Sequence, residues 1–232
     1  MQVPQHIGRS VDFSASDLRP AAPLGTSWRP AQTAGRAPFL ATVDLRPYRP
    51  DDFLFLRRWI DSEHTLLMWG GPSFAYPLDE LQWCRYLGGG AGPADQDIPA
   101  VFTAVRRGDG APVGYGELYG FEARRGVVEL THLVVDPAWR GLGVGTEIVE
   151  QLLAMAFIGM GVVQVELGVF DCNQVAIACY QRLGFRFAGT FGEPLLIGAE
   201  TVTLRAMVLQ RGDWATHPVS RWQNQGDVLA AS

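Results

Sequence analysis

The sequence predicts an α/β fold in which a mixed sheet of six to seven strands is flanked by about four helices. Apolar residues alternate with polar ones in short runs bounded by glycine or proline, which is typical of strands. In longer runs they recur at helical spacing. The segments follow in the order β-α-α-β-β-β-α-β-α-β-β, and such interleaving indicates an α/β domain. With 47% hydrophobic and 19% charged residues, the 232-residue chain can bury a core.

The first half of the predicted domain holds four strands and two helices. Alternation predicts strands over residues 42–50, 100–107, 112–121 and 126–135. Helical spacing predicts helices over 51–60, which opens with two aspartates, and over 78–87. The segment GDGA between the second and third strands indicates a hairpin turn. The glycine-rich run from Gly88 to Pro93 predicts a loop.

The second half alternates helices and strands. A helix is predicted from Thr146 to Ile158, a strand over 161–170, and a short helix over 173–184 that ends at Gly184. Two further strands are predicted over 185–190 and 200–210.

The domain itself is predicted over residues 41–211. Residues 1–40 hold five prolines, six alanines and three glycines without a sustained period, which is typical of a flexible extension. Residues 212–232 are predicted to be a C-terminal tail.

Composition disfavours several classes of protein. The formal net charge is −5, whereas a nucleic-acid binder normally carries a basic surface. Three cysteines without a C-x-x-C pair argue against a disulfide framework or a zinc site, so no metal is expected. No apolar run reaches the roughly 18 residues that span a bilayer, and no signal-peptide pattern opens the chain. We therefore expect a cytoplasmic protein without a nucleic-acid or membrane partner.

The stretch DPAWRGLGVG, residues 136–145, holds three glycines at the start of a helix. A helix N-terminus leaves amide N–H groups unpaired and carries partial positive charge, so it attracts anions. Glycines let a phosphate approach these amides without meeting Cβ atoms. A P-loop is excluded because the chain has no lysine. The dinucleotide pattern G-x-G-x-x-G/A does not fit the spacing either.

Two motifs together resemble those of the GNAT superfamily of acyl-CoA-dependent N-acetyltransferases. The pattern R/Q-x-x-G-x-G/A matches Arg140, Gly143 and Gly145. The pattern N-x-x-A-x-x-x-Y-x-x-x-G-F matches the stretch from Asn173 to Phe185 at every position. The resemblance covers about residues 42–210 and implies the GNAT fold.

The resemblance also implies acetyl-CoA as cosubstrate and assigns residues to it. The implied residues are Leu133, Val134 and Val135 for the pantetheine arm, Arg140, Gly141, Leu142, Gly143, Val144, Gly145 and Thr146 for the pyrophosphate, and Asn173 and Tyr180 at the thioester end. Asn173 has an alternative interpretation as the N-cap of its helix.

Two side chains are predicted to be catalytic. Tyr180 is expected to donate a proton to the departing thiolate, since a phenol stays protonated at neutral pH. Glu129 is the first candidate for the base, because it precedes Arg140 by eleven residues, as the base does in histone-acetyltransferase-like members. His132 is an alternative, although its spacing from Glu129 predicts the opposite sheet face. Glu117 is the third candidate.

The predicted strand over 161–170 departs at one position from the pattern of a subgroup of the family. Ribosomal-protein alanine acetyltransferases carry a glutamate twelve residues before the tyrosine, where this chain has Gly168. A glycine there indicates room for close approach of a ligand or backbone. The oxyanion is expected to meet a strand N–H, that of Val134 or Val135.

The acceptor is predicted to be a primary amine, either a small molecule or a protein N-terminus. The aromatic segment around W-G-G looks similar to aminoglycoside 6′-acetyltransferase-like and ribosomal-protein acetyltransferase-like members. Weaker candidates for acceptor binding are Trp69, Phe74, Tyr76, Glu117 and His132. A monomer or homodimer is expected. The alternative is a catalytically weak acetyl-CoA-binding sensor or scaffold.

Overall fold

The computed structural model of the chain describes residues 42–88, 99–197 and 200–216. The predicted N-terminal extension, most of the predicted loop at 88–93 and residues 217–232 lie outside these ranges. Within them, one mixed sheet of seven strands carries six helices. The predicted class and the range of strand numbers are confirmed, while the number of helices exceeds the prediction.

The sheet has the strand order β1-β2-β3-β4-β5-β7-β6. Only β4 and β5 run parallel; every other neighbouring pair of described strands is antiparallel. The strands are β1 Val43–Pro47, β2 Ala100–Arg106, β3 Pro112–Glu122, β4 Val127–Val135, β5 Gln164–Phe170, β6 Arg186–Ile197 and β7 Glu200–Gln210. Every predicted strand is present, and β6 is longer than predicted.

Four helices correspond to the predicted ones and two do not. The helices are α1 Phe53–Trp59, α2 Glu63–Gly70, α3 Glu80–Leu87, α4 Val144–Ala154, α5 Gln174–Arg182 and α6 Arg211–Thr216. The sequence analysis missed α2 because its apolar residues 66–69 are consecutive and show no helical period. Ser62 nevertheless caps it by accepting the Thr65 amide.

Two hydrophobic cores lie on opposite faces of the sheet. The α4 core is built around Ile148, Leu152, Phe157, Leu167 and Met207, all essentially inaccessible to solvent. The aromatic core contains Leu56, Trp59, Trp69, Trp83, Tyr115 and Val134, and joins α1, α2 and α3 to the sheet. Consecutive residues Val134 and Val135 on β4 contact different cores, as the alternation of a strand requires.

The ordered domain continues past its predicted end. Residues 211–216 form α6 instead of a tail, and Trp214 is buried with its ring centroid 5.1 Å from that of Phe157. None of the helices in the described ranges is long and apolar enough to cross a membrane.

Candidate active site

The two parallel strands at the centre of the sheet separate after a short common stretch. They pair at Val127–Gln164, Val128–Val165 and Glu129–Glu166. Both strands then continue, β4 to Val135 and β5 to Phe170, without further pairing between them. A cleft therefore opens between their carboxyl ends, and one edge of β4 is unpaired along it.

The backbone of Val135 faces this cleft. Asp136 donates its amide to the Val113 carbonyl of β3 at 2.9 Å, and Val134 is paired with Tyr115. Because alternate residues of an antiparallel ladder turn their polar groups to opposite sides, the N–H and C=O of Val135 point away from β3. Nε of Arg140 donates to that carbonyl at 3.0 Å. Of the two predicted oxyanion donors, Val135 has the suitable orientation.

The glycine turn leads from this edge into α4. Gly141 and Gly143 have φ values of 75° and 86°, in the left-handed region that favours glycine. Gly143 caps α4 without a side chain. No backbone hydrogen bond from the amides of residues 141–146 occurs within the described residues. The turn therefore presents free donors at a helix N-terminus, which suits a pyrophosphate.

Helix α5 lies against the start of α4. The Thr146 hydroxyl is 3.3 Å from Sγ of Cys179, and Asn173 caps α5 by accepting the Ala176 amide at 3.2 Å. Tyr180 is 7% exposed, with its ring centroid 5.8 Å from that of Phe185. Burial raises the pKa of the Tyr180 phenol, and the neighbouring Cys179 adds to the rise. The phenol is therefore kept in its protonated form.

β4 contains a bulge in the part of the strand that borders the cleft. Tyr115 pairs with Val134, but Glu117 already pairs with Thr131, so Leu133 and His132 together oppose one residue of β3. His132 has φ 49°, the only positive φ outside glycine in the described residues. The bulge turns Thr131 and His132 to the same face, where both bond Oε1 of Glu117.

The Glu117 carboxylate is the centre of a buried polar cluster. It has no exposed surface and accepts hydrogen bonds from Tyr115 at 2.9 Å, from Thr131 at 2.7 Å and from Tyr86. Nδ1 of His132 is its fourth partner. Burial acts to raise the pKa of Glu117, but the charge of His132 and these hydrogen bonds outweigh it and lower the pKa. Glu117 is therefore ionised at neutral pH.

Three aromatic rings surround the His132 imidazole. The ring centroids of Trp69, Tyr86 and Phe74 lie 4.8, 5.0 and 5.8 Å from that of His132. Nε1 of Trp69 donates to the His132 carbonyl at 2.7 Å, which fixes the backbone of the bulge. Burial and the charge of Glu117 raise the pKa of Tyr86, so its phenol is neutral.

Comparison with known proteins agrees with this geometry. Residues 53–185, more than half of the chain, match the model of the Acetyltransferase (GNAT) family. The chain belongs to the GNAT acetyltransferase family. As a member it is an acyl-CoA-dependent N-acyltransferase.

The similar relatives and solved structures include several amine acetyltransferases. Aminoglycoside N(6′)-acetyltransferase type 1 of Klebsiella pneumoniae is 27% identical over 163 residues, which cover 66% of this chain and 78% of the relative. An uncharacterised N-acetyltransferase of Mycobacterium tuberculosis is 37% identical over 91 residues, 39% of this chain and 55% of the relative. The structure of spermidine N-acetyltransferase from Vibrio cholerae with CoA and spermine has a TM-score of 0.62 at 16% identity, covering 75% of this chain and 98% of that one.

The predicted base, Glu129, lies at the point where β4 and β5 separate, which we call the fork. It is half-buried and belongs to the last residue pair between β4 and β5. Thr131 is two residues away and therefore shares its face, to which the bulge also brings His132. The expected opposite orientation of His132 is therefore wrong, because the alternation breaks at the bulge. Gly168 on β5 is exposed, and a Cβ added there would lie 3.4 Å from Leu204.

The predicted acceptor residues divide into two groups. Trp69 and Phe74 join Glu117 and His132, but Tyr76 is exposed and donates to the Asp61 carbonyl at 2.9 Å. The sequence analysis missed Tyr86, Tyr115 and Thr131 as members of the cluster. A signal existed for Tyr86, which follows Trp83 by three residues on a predicted helix and so shares its inward face. The described residues contain no group of three or more His, Cys, Asp or Glu that could hold a metal ion.

Proposed function

We propose that this enzyme transfers an acetyl group from acetyl-CoA to a primary amine by direct attack of the amine on the thioester. The fork of β4 and β5 carries the proposal. It joins an unpaired strand edge to a turn of free amides, so that an extended arm and its pyrophosphate fit one continuous surface.

The donor is expected to follow this surface. Pyrophosphate oxygens would accept from the amides of residues 141–146, where the helix dipole also favours negative charge. The pantetheine arm would lie along Leu133, Val134 and Val135, since an extended chain with amide groups can add to a strand edge. The Val135 N–H would then stabilise the oxyanion. Asn173 already serves as a helix cap, which leaves Tyr180 as the side chain at the thioester end.

Tyr180 is the proposed acid. Acetyl transfer releases a thiolate, and a phenol whose burial keeps it protonated can supply the proton. Within the described residues, no hydrogen bond of its hydroxyl competes for that proton.

The group that is proposed to take the proton lies on the face of the sheet that α1, α2 and α3 cover, which is the side proposed for the acceptor amine. An alkyl ammonium titrates near about 10.4, so a base must remove a proton before the nitrogen can attack. Glu129 is the candidate that the family resemblance supports, acting through water. His132 and Glu117 are the alternatives, and all three face α1–α3.

The acceptor is proposed to be a small cationic amine or a protein N-terminus. The net charge of −5 favours cations in a general way. Aminoglycoside and spermidine acetyltransferases among the similar proteins support a small molecule.

A free-thiol assay tests the proposal. Purified protein with acetyl-CoA is incubated with aminoglycosides, spermidine, amino acids and N-terminal peptides, and amine-dependent release of CoA is the expected result. Calorimetry with CoA and acetyl-CoA runs in parallel. Binding without turnover across the panel would favour the sensor, whereas the absence of any binding heat would contradict both functions.

A further inference from the structure

The buried pair of Glu117 and His132 has the geometry of a proton-accepting dyad. We infer that His132 takes the proton of the acceptor amine and that Glu117 is the positioning residue that holds the imidazole for this step. The inference rests on the proposed transfer to an amine. It names His132 as the base in place of Glu129, which the family resemblance supports.

The contact with Glu117 defines which nitrogen is basic. Nδ1 of His132 bonds the carboxylate, so in the neutral imidazole Nδ1 carries the proton and Nε2 carries the lone pair. Nε2 has no hydrogen-bond partner within the described residues. The Glu117 carboxylate, which has four hydrogen-bond partners that stabilise its charge, also stabilises the imidazolium that forms when Nε2 accepts a proton.

Glu117 cannot perform the step itself. Its carboxylate is 0% exposed and already has four hydrogen-bond donors. The side chain of His132 is 14% exposed, so the imidazole is the member of the pair that an acceptor can reach. The carboxylate therefore acts only through the imidazole.

The bulge places His132 beside the open part of β4. Glu129 is still paired with β5, and three residues along a strand span about 10 Å. His132 directly precedes Leu133, where the edge proposed for the pantetheine arm begins. A thioester whose oxygen accepts from the Val135 N–H would lie three residues along β4 from His132 and six from Glu129, and therefore nearer to the imidazole.

The surroundings of the ring suit a proton acceptor. Glu117 on β3 and Tyr86 on α3 are the titratable groups in contact with it, and Tyr115 on β3 acts through Glu117. Both phenols have pKa values raised by burial, so among the described residues Glu117 is the charged partner that contacts the ring. Trp69 and Phe74 supply apolar surface for the stem of an amine.

The step balances in protons and electron pairs. Nε2 takes one proton from the ammonium, and the freed nitrogen lone pair forms the C–N bond to the thioester carbon. When the C–S bond breaks, the sulfur keeps the pair and takes the proton of Tyr180. The surplus proton on nitrogen returns to the Tyr180 phenolate, and His132 releases its proton to water.

Kinetics of three variants test the inference with spermidine and an aminoglycoside that has a free 6′-amine as probes. We expect His132→Gln to lower kcat about 100-fold and Glu117→Gln about tenfold, with KM for acetyl-CoA changed less than about threefold. The acidic limb of the kcat/KM profile should disappear in His132→Gln. It should move to lower pH in Glu117→Gln, because the imidazolium loses its stabilising charge. His64→Gln, at an exposed histidine of α2, is the control and should match the unmodified enzyme.

Glu129→Gln separates the two candidate bases. If this variant abolishes the acidic limb while His132→Gln keeps it, the inference is overturned. An active enzyme in which His132→Gln leaves kcat unchanged overturns it as well.

A spectroscopic measurement does not require an acceptor. In the full chain with ¹⁵N-labelled histidine, the His132 signal is assigned by its loss in His132→Gln. The neutral imidazole should carry its proton on Nδ1, and Glu117→Gln should shift that proton towards Nε2. A neutral form with the proton on Nε2 would refute the dyad. The expected tautomer without turnover of either probe would count against the proposed function and not against the pair.

Discussion

The chemistry of single residues here depends on their immediate surroundings. The phenol of Tyr180 is enclosed by apolar side chains, which raises its pKa and keeps the proton that the proposed acid catalysis requires. The carboxylate of Glu117 is also buried, yet the charge of His132 and the hydrogen bonds from its neighbours lower its pKa. Desolvation acts in the same direction on both groups, and the charge of His132 together with hydrogen bonding to the charged form decides the outcome for Glu117.

Replacement of Tyr180 by phenylalanine tests its role as the acid. We expect kcat to fall about 100-fold, since general acid catalysis contributes an effect of that order. The affinity for acetyl-CoA should stay close to that of the unmodified enzyme, because the ring and its contact with Phe185 remain. Tyr48→Phe is the matched control, as its hydroxyl bonds Trp83 in the aromatic core and should not affect kcat. An unchanged kcat in Tyr180→Phe would remove the phenol from the mechanism.

At the scale of elements, the glycine turn joins β4 to α4 in a backbone conformation that other residues adopt only with strain. Gly143→Ala should destabilise the fold by about 1–2 kcal/mol, because its φ of 86° is left-handed. The added Cβ should also weaken CoA binding about tenfold or more by obstructing the free amides. Calorimetry with CoA and thermal unfolding measure the two effects.

The turn between β2 and β3 offers the control for this prediction. Gly110 has φ 72° and, like Gly143, no atom within 4 Å of an added Cβ. Gly110→Ala should therefore produce similar destabilisation with unchanged affinity for CoA. Equal loss of affinity in both variants would show that strain, and not the anion site, is responsible.

Asp52 joins β1, α1 and β2. It bonds Arg46 at 2.6 Å, the Arg49 amide at 2.8 Å and Thr103 at 2.8 Å. Burial acts to raise its pKa, but these bonds and the charge of Arg46 lower it. A group with a depressed folded-state pKa stabilises the fold above its unfolded-state pKa, about 3.9 for aspartate, and this contribution disappears as the pH falls through the folded-state value.

Asp52→Asn should lower the free energy of unfolding at pH 7 by about 2 kcal/mol. The difference from the unmodified protein should begin to shrink below about pH 4, where the unfolded-state carboxylate takes up a proton, and should disappear as the pH falls through the lower folded-state pKa. Urea unfolding of both proteins at pH 7 and pH 3 measures this difference in the free energy of unfolding. Asp44→Asn, which removes the half-exposed pair with Arg107, should cost less than about 0.5 kcal/mol. A constant difference across this pH range would contradict the interpretation.

At the scale of the whole molecule, one sheet separates two cores that support different parts of the proposed site. The α4 core carries the glycine turn proposed for the donor together with Tyr180, while the aromatic core supports the polar cluster on the side proposed for the acceptor. These two parts meet at β4, whose residues contact both cores. The α4 core also includes Trp214 of α6, so the domain needs residues beyond its predicted boundary.

Trp214→Ala tests that boundary. The variant should lower the free energy of unfolding by about 3 kcal/mol, because it removes a buried ring that packs on Phe157. Chemical denaturation measures the loss. Val175→Ala, at a position 85% exposed, should change stability by less than about 0.5 kcal/mol. A Trp214→Ala protein as stable as the control would show that the domain ends at β7.

The sequence by itself determined the strands, four of the six helices, the glycine turn and the two family motifs. Each of these depends on residues that are close in the chain, where periodicity and the conformational needs of glycine act. The fork was implied only through the family resemblance.

Only the tertiary structure determines that the polar cluster around Glu117 forms. Tyr86 meets Glu117 and His132 across 31 and 46 residues of chain, and their meeting depends on strand register and helix packing. The bulge at His132 turns its side chain to the sheet face opposite to the one that alternation predicts. The local sequence gives no signal for the extra residue in β4. Local preferences specify the elements, whereas the environment of a buried charge is created only when distant elements pack together.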